Sequence, residues 1–139
     1  MKFLSLNCRG LASTWKKLAI KRMLLVNKSD VVLLQETLGS ELEVTKLLSS
    51  LSTYYTFIAQ SARGHSSGLA IGWNRPTLRC ANSWGDPFGL GINFCWAEAN
   101  LTLNIRNIYG PYNNRVSFWE ALRSSHLLRC ENLVIGGDL

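Results

Sequence analysis

The chain contains the stretch Val31-Val32-Leu33-Leu34-Gln35-Glu36, in which an uninterrupted aliphatic run ends in two polar residues. A continuous apolar run is typical of a central strand buried on both faces, because a strand with one wet face would alternate. Ser29-Asp30 precedes the run as a turn. Glu36 is therefore predicted to stand where a buried strand gives way to a loop, which is where α/β proteins place their chemistry.

Other elements surround this strand. Hydrophobic periodicity predicts three helices, over Trp15–Asn27, from a Ser40 cap to Leu51, and over Val116–Arg129. Further strands are predicted over Lys2–Asn7, Tyr54–Ala59, Gly68–Trp73, Ile92–Ala99, Leu101–Tyr109 and Leu133–Ile135. Asn100 joins two of these as a hairpin, whereas Asn82–Gly91, with three glycines and a proline, is predicted to be an irregular loop. This mixture predicts a layered α/β sandwich with a mixed sheet.

The composition is that of one folded domain. The chain has 139 residues, of which 47% are hydrophobic and 17% charged, so apolar surface is available to offset the entropy of the chain. No apolar run approaches the roughly 18 residues of a membrane span, and the first residues lack the pattern of a secretory signal. Lys and Arg total 15 and Asp and Glu total 9, and the resulting net charge of +6 favours a polyanionic partner.

The cysteines and the absent motifs exclude several classes. Cys8, Cys80, Cys95 and Cys130 form no C-x-x-C pair, so no zinc site is predicted. In a chain without a secretory signal their scatter predicts reduced, mostly buried thiols and a location in the nucleus or cytoplasm. The dinucleotide motif G-x-G-x-x-G, the P-loop and the G-x-S-x-G elbow do not occur, which argues against those three classes.

Four polar side chains stand at or just after the ends of predicted strands: Asn7, Glu36, Tyr109 and Asp138. If these ends share one sheet edge, an amide, two carboxylates and a phenol converge there. Mg²⁺ prefers oxygen ligands and often takes only one or two protein carboxylates together with water and phosphate. In that setting an Asp could activate water and a Tyr hydroxyl could donate to a phosphate oxygen. The four residues together predict a metal-dependent site for phosphate chemistry.

Each of the four residues also has a purely structural interpretation. Asn7 would cap a turn, Glu36 would be the exposed end of a strand, and Tyr109 would belong to the core or its rim. Asp138 would cap a following helix or stand free in solvent. For any one residue the structural interpretation is the simpler one. The matching position of all four favours a functional site.

Five segments of the chain form an ordered set of motifs: Leu4-Ser5-Leu6-Asn7-Cys8-Arg9-Gly10-Leu11, Asp30–Thr37, Gly68-Leu69-Ala70-Ile71, Asn107-Ile108-Tyr109-Gly110-Pro111 and Ile135-Gly136-Gly137-Asp138. In this order they resemble the endonuclease/exonuclease/phosphatase superfamily over essentially the whole chain. The form Asn-Cys-Arg-Gly-Leu is most similar to the endonuclease domain of plant LINE-type (non-LTR) retrotransposons. The resemblance implies a four-layered, DNase I-like α/β sandwich, with residues 1–139 as the N-terminal part of a single domain.

The resemblance also implies an activity, that of a Mg²⁺- or Mn²⁺-dependent phosphodiesterase acting on DNA. By motif position, Asn7 matches the family's first-strand Asn and Glu36 its main metal-binding Glu. Tyr109 matches the Tyr that contacts the scissile phosphate, and Asp138 the Asp that positions or activates water or serves the leaving group. We therefore expect Asn7, Tyr109 and Asp138 to be catalytic, and Glu36 with Asn7 to bind the metal. In LINE elements the nick exposes a 3′-hydroxyl primer for reverse transcription.

Basic residues are candidates for contacts with nucleic acid. Arg9 stands two residues after Asn7, where abasic-site nucleases carry a carboxylate, which disfavours a repair nuclease and agrees with the retrotransposon form. Arg9 and Arg63 are the predicted nucleic-acid contacts. The further candidates are Lys16, Lys17, Lys21, Arg22 and Arg75, although a solvated helix face explains Lys16 and Lys17 equally well. Affinity that rests on such contacts falls steeply with salt.

The end of the chain departs from the family pattern. The motif Gly-Asp-x-Asn stops after Leu139, and the later Ser-Asp-His segment has no counterpart, because His65 and His126 precede that point. We therefore expect a C-terminally truncated domain that is inactive or incomplete and, with apolar strand surface left in water, poorly stable by itself. Two alternatives stay open: a non-catalytic nucleic-acid-binding remnant, and another phosphoesterase of the superfamily, such as a phosphoinositide phosphatase or a deadenylase.

Overall fold

Two mixed four-stranded sheets and three α-helices make up the fold of this computed structural model, which describes residues 1–62, 67–74, 76 and 78–139. The first sheet consists of β1 (Phe3–Asn7), β2 (Val31–Gln35), β3 (Tyr55–Gln60) and β4 (Leu69–Asn74), in the order β1-β2-β4-β3. The second consists of β5 (Arg79–Asp86), β6 (Gly89–Trp96), β7 (Leu101–Tyr109) and β8 (Leu133–Asp138), in sequential order. The helices are α1 (Thr14–Asn27), α2 (Glu41–Leu51) and α3 (Arg115–Ser124), with short 3₁₀ turns at Ala97–Ala99 and His126–Arg129. The predicted α/β sandwich with mixed sheets is confirmed.

Strand direction brings four strand ends to one edge of the sandwich. β1 runs parallel to β2, with Asn7 opposite Gln35, and β7 runs parallel to β8, with Tyr109 opposite Asp138. The remaining pairs in the two sheets are antiparallel. Across the sandwich β1 contacts β8 and β2 contacts β7. The carboxyl ends of β1, β2, β7 and β8 therefore surround a common point.

Apolar side chains fill one layer outside the first sheet and another between the sheets. All five residues of β2 are buried, as the continuous run predicts. Val32 and Leu34 face the layer under the helices, and Val31 and Leu33 face the second sheet. The helices contribute Ile20, Leu24, Val44 and Leu48 to the first layer. The layer between the sheets is completed by Ile71, Ile92, Phe94 and Ile105.

The predicted loop at Asn82–Gly91 is wrong, because these residues form most of the β5–β6 hairpin. The turn is closed by Asp86, whose carboxylate accepts hydrogen bonds from the backbone N–H groups of Phe88 (2.8 Å) and Gly89 (3.1 Å). The glycines lie in the ladder rather than breaking it. A Cβ on Gly91 would lie 2.5 Å from Arg106 Nη1 and 2.6 Å from the Trp84 ring, so glycine makes room for these two side chains to stack.

The helix predicted over Val116–Arg129 is shorter than expected. The structure has α3 from Arg115 to Ser124, and Ser125 then adopts an extended backbone before the 3₁₀ turn at His126–Arg129. By contrast, α2 begins where the sequence predicts, because Ser40 and Glu43 form a reciprocal capping box. Within the described ranges no helix is long and apolar enough to cross a membrane.

The strand β8 contains a pair of glycines that the packing requires. Gly137 has φ +144°, and a Cβ at this position would overlap the carbonyl oxygen of Ile108 on β7. A Cβ on Gly136 would meet the side chain of Leu33 in the opposite sheet. Side chains at either position would push β8 away from its neighbours. The Gly136-Gly137 pair therefore allows β8 to carry Asp138 to the common edge.

Candidate active site

The structure brings together all four polar residues that the sequence places at strand ends. Asn7 ends β1, Glu36 follows β2 directly, Tyr109 ends β7 and Asp138 ends β8. Asn7 Nδ2 donates hydrogen bonds to Glu36 Oε1 and to Asp138 Oδ2, each at 2.8 Å. The hydroxyl of Tyr109 donates to the same Glu36 oxygen, also at 2.8 Å. The four side chains form one connected group, hereafter the edge tetrad, with two members from each sheet.

The backbone after β2 turns sharply so that the carboxylate of Glu36 faces β7. Glu36 has φ +53°, a left-handed conformation that costs a non-glycine residue about 1–2 kcal/mol. Backbone hydrogen bonds hold it there: Gly10 N–H donates to the Glu36 carbonyl at 2.7 Å, and Thr37 N–H donates to the Gly68 carbonyl at 3.2 Å. A residue whose strained backbone is held in place by surrounding contacts is a common feature of functional sites.

Asn7 is oriented by the turn that follows β1. Its Oδ1 accepts a hydrogen bond from the backbone N–H of Arg9 at 3.0 Å, and Arg9 itself has φ +49°. This bond occupies the amide oxygen, so the amide nitrogen faces Glu36 and Asp138. A neutral donor between two carboxylates holds them close together while it neutralises neither charge.

The phenol of Tyr109 is held in its protonated form. Its hydrogen bond to Glu36 raises the pKa of the phenol above its ordinary value of 10.0, and burial and the negative charges of Glu36 and Asp138 act in the same direction. A hydrogen bond with Ser67 opposes this shift. Tyr109 therefore stays a hydrogen-bond donor throughout the neutral pH range.

Two carboxylates, an amide and a phenol are a donor set that fits a hard divalent cation. No cluster of three or more His, Cys, Asp or Glu occurs among residues 1–62, 67–74, 76 and 78–139. Mg²⁺ needs no such cluster, because one or two protein carboxylates commonly suffice when water and substrate phosphate complete the octahedron. Glu36 and Asp138, both hydrogen-bonded to the amide nitrogen of Asn7, are the two carboxylates at this edge that could hold such an ion.

Of the two arginines predicted to contact nucleic acid, the structure describes one. Arg9 is exposed in the loop after β1, next to the edge tetrad, and its backbone carbonyl accepts a hydrogen bond from Lys16 Nζ. Arg63 lies outside the described residues, as do His65 and Arg75. Lys16, Lys21 and Arg22 lie on α1 with exposed side chains, and Lys17 is partly buried.

Cys8, directly after Asn7, is the one buried cysteine of the four. The expectation that most of them are buried is wrong, because Cys80 is partly exposed and Cys95 and Cys130 are exposed. Burial raises the pKa of the Cys8 thiol to about 11, the positive charge of Lys16 opposes this, and Glu36 adds to it.

Cys8 is therefore expected to react far more slowly with iodoacetamide at pH 8 than the exposed Cys95 and Cys130. At a pKa of about 11, only about one Cys8 thiol in a thousand is ionised at pH 8. Mass spectrometry of tryptic peptides after timed labelling measures the rates, and equal labelling of Cys8 and Cys95 would contradict the expectation. The pKa of the Cys8 thiol is 9.0 for an unperturbed cysteine and about 11 in the folded protein. The contribution of the neutral thiol to the free energy of unfolding is therefore complete below about pH 9 and is lost as the pH rises towards 11.

Three polar residues beside the edge tetrad were not among the candidates that the sequence indicated. Gln35 and Asn107 are almost fully buried and hydrogen-bonded to each other, and Ser67 bonds Tyr109. A signal existed for Gln35, which ends an otherwise apolar strand. Asn107 lies in a strand that also contains Thr102, Asn104 and Arg106, so its polarity alone did not single it out. Ser67 lies in a polar loop and carries no sequence signal of its own.

Two mixed sheets packed with helices in an α/β sandwich are the architecture of DNase I-like structures such as the AP endonucleases. The chain belongs to the Endonuclease/Exonuclease/phosphatase family, whose sequence profile matches residues 4–139. Enzymes of this family generally depend on a divalent metal. No curated protein sequence matches the chain.

Solved structures with the same fold include two AP endonucleases. The enzyme from Archaeoglobus fulgidus is 18% identical with a TM-score of 0.73, and LMAP from Leishmania major is 20% identical with a TM-score of 0.73. A humanized TDP2 from D. rerio is 17% identical with a TM-score of 0.68. The matches cover 99%, 99% and 97% of this chain but only 56%, 54% and 59% of those structures. At these identities the likeness shows the fold.

Proposed function

We propose that this chain carries part of the active site of a divalent-metal-dependent endonuclease that nicks DNA, of the type found in plant LINE-type retrotransposons. The observation that carries the proposal is the edge tetrad, in which Asn7, Glu36, Tyr109 and Asp138 are linked by hydrogen bonds of 2.8 Å. A DNA substrate is supported by the net charge of +6 and by the AP endonucleases among the similar structures. The retrotransposon type rests on the Asn-Cys-Arg-Gly-Leu form of the first motif.

In this proposal Glu36 is the main metal ligand, with Asp138 close enough to share the charge of the ion. Binding of the ion through Asn7 Oδ1 would replace the hydrogen bond from Arg9 N–H, so Asn7 serves either as a ligand or as the donor that orients both carboxylates. A bound Mg²⁺ or Mn²⁺ ion would offset the negative charge that builds up on the phosphate oxygens.

The other two residues handle protons and hydrogen bonds. Tyr109, protonated at neutral pH, donates from its hydroxyl to a non-bridging oxygen of the scissile phosphate. Asp138 accepts a proton from the attacking water or hands one to the leaving oxygen. Its side chain is exposed at the end of β8, where solvent water reaches it. Arg9 and Arg63 are the proposed contacts with nucleic acid, and Arg63 lies outside the described residues.

The proposal is tested with the natural chain that contains residues 1–139, at whatever length its gene encodes. With Mg²⁺ or Mn²⁺, we expect supercoiled plasmid to be converted to the open circle, and EDTA to stop the conversion. Gel electrophoresis separates the two forms. Absence of conversion with either ion, or conversion that persists in EDTA, would contradict the proposed function.

A further inference from the structure

A buried pair of amide side chains joins the two sheets directly beneath the edge tetrad. Gln35, at the end of β2, is 1% exposed, and Asn107, on β7, is fully buried. Gln35 Nε2 donates a hydrogen bond of 2.7 Å to Asn107 Oδ1. This bond crosses from the first sheet to the second through an otherwise apolar layer.

The hydrogen-bonding capacity of the Asn107 side-chain nitrogen is fully used. Asn107 Nδ2 donates to the backbone carbonyls of Leu34 and Ala70, each at 2.9 Å, so it is anchored on both β2 and β4. Gln35 Nε2 has Ser5 Oγ as a second acceptor at 3.3 Å. A satisfied amide network in a dry interior is directional, whereas aliphatic contacts tolerate sliding. The pair therefore defines one relative position of the two sheets.

Gln35 and Asn107 are connected to the edge tetrad through neighbouring residues of the backbone and one backbone hydrogen bond. Gln35 is bonded to Glu36, and its own carbonyl accepts a hydrogen bond of 2.8 Å from Cys8 N–H, next to Asn7. Asn107 lies two residues before Tyr109, on the same face of β7. A change in the distance between Gln35 and Asn107 is thereby passed to Glu36 and Tyr109.

We infer that the Gln35–Asn107 pair positions the metal site: it sets the separation of Glu36 from Tyr109 and Asp138, and with it the affinity for the divalent ion. The two residues contact neither ion nor substrate. They act through the tetrad residues beside them, as the outer partners of metal ligands do. This inference rests on the proposed function of the edge tetrad.

The test is the affinity of the protein for Mn²⁺, measured without substrate from the electron paramagnetic resonance of the free ion. Gln35→Met keeps the length of the side chain and removes the donor. We expect it to weaken Mn²⁺ binding about tenfold or more, the usual effect of losing an outer partner of a metal ligand. Gln35→Asn keeps the amide but shortens its reach by one methylene, and we expect the same loss of Mn²⁺ affinity. It provides the test if Gln35→Met does not fold.

Two control variants separate positioning from stability. Ser5→Ala removes the second acceptor of Gln35 and leaves the amide pair intact. Tyr55→Phe removes a buried hydrogen bond of 2.6 Å to the Ser29 carbonyl at the far end of the first sheet. Urea unfolding reports the stability of each variant. Both controls are expected to keep their Mn²⁺ affinity within about twofold, even where Tyr55→Phe lowers the stability by the 1–3 kcal/mol typical of a buried donor or acceptor left unpaired.

The outcomes distinguish the inference from the proposed function. If the unaltered protein binds Mn²⁺ and a folded Gln35 variant binds it equally well, the inference is overturned and the proposed function stands. If Tyr55→Phe loses Mn²⁺ affinity as much as Gln35→Met does, the effect is general loosening and the inference is also overturned. If the unaltered protein binds no Mn²⁺, the proposed metal site itself is wrong.

Discussion

Glu36→Gln is expected to abolish metal-dependent nicking of supercoiled plasmid, with a loss of about a thousandfold or more. The amide has the shape of the carboxylate and its oxygen can still accept from Asn7 and Tyr109, so the fold should be unchanged. What it lacks is the negative charge that attracts a divalent ion. The rate of open-circle formation at saturating Mg²⁺ measures the effect, and circular dichroism checks the fold.

Glu98→Gln is the matched control for this substitution. Glu98 is an exposed glutamate in the 3₁₀ turn between β6 and β7, at the opposite end of the second sheet from the edge tetrad. The same change of charge there should leave nicking unaltered. Nicking by Glu36→Gln at the rate of the unaltered protein would remove Glu36 from the metal site.

Gly137→Ala is expected to lower the free energy of unfolding by about 3 kcal/mol or more. At φ +144° an alanine is strained, and its Cβ would overlap the carbonyl oxygen of Ile108, a backbone atom that cannot rotate away. Relief requires β8 to separate from β7, which breaks the parallel ladder that carries Asp138. Urea-induced unfolding, followed by circular dichroism, measures the change.

Gly110→Ala is the control for the glycine substitution. Gly110 lies at the same edge of the sandwich, but the nearest atoms to a Cβ there are 3.4 Å away, which is an ordinary contact. We expect the free energy of unfolding of the Gly110→Ala variant to stay within about 1 kcal/mol of that of the unaltered protein, as is typical of a substitution without a steric conflict. A similar small change for Gly137→Ala would show that β8 tolerates displacement.

The sequence indicated four polar side chains at or just after strand ends, and their convergence was expected only if those ends share one edge. The continuous run Val31–Leu34 identified a central strand, and parallel neighbours of such a strand end at the same edge. This rule places Asn7 and Glu36 at one edge of the first sheet. Tyr109 and Asp138 end strands of the second sheet, and the packing of the two sheets brings them to the same edge. The roles assigned to these residues remain proposals that the substitutions above test.

What the sequence did not predict depends on contacts between distant strands. The glycines of Asn82–Gly91 suggested a loop, although Gly91 is required by Trp84 and Arg106 in the ladder. The Gln35–Asn107 bond joins residues on different sheets, and no local pattern indicates such a partner. The hydrophobic periodicity also predicted too long a helix, to Arg129, because it does not show that Ser125 adopts an extended backbone and ends α3.

Two members of the edge tetrad come from each sheet, so the activity depends on how the two sheets lie relative to each other. Neither sheet alone holds both acids, so the geometry survives only while the two layers keep their relative alignment. A mild denaturant, or a ligand that shifts one layer against the other, would disperse the carboxylates while leaving both hydrogen-bonded ladders in place. Inactivation would then precede the loss of secondary structure, because the chemistry depends on the alignment of two layers, whereas each ladder depends on hydrogen bonds within one layer.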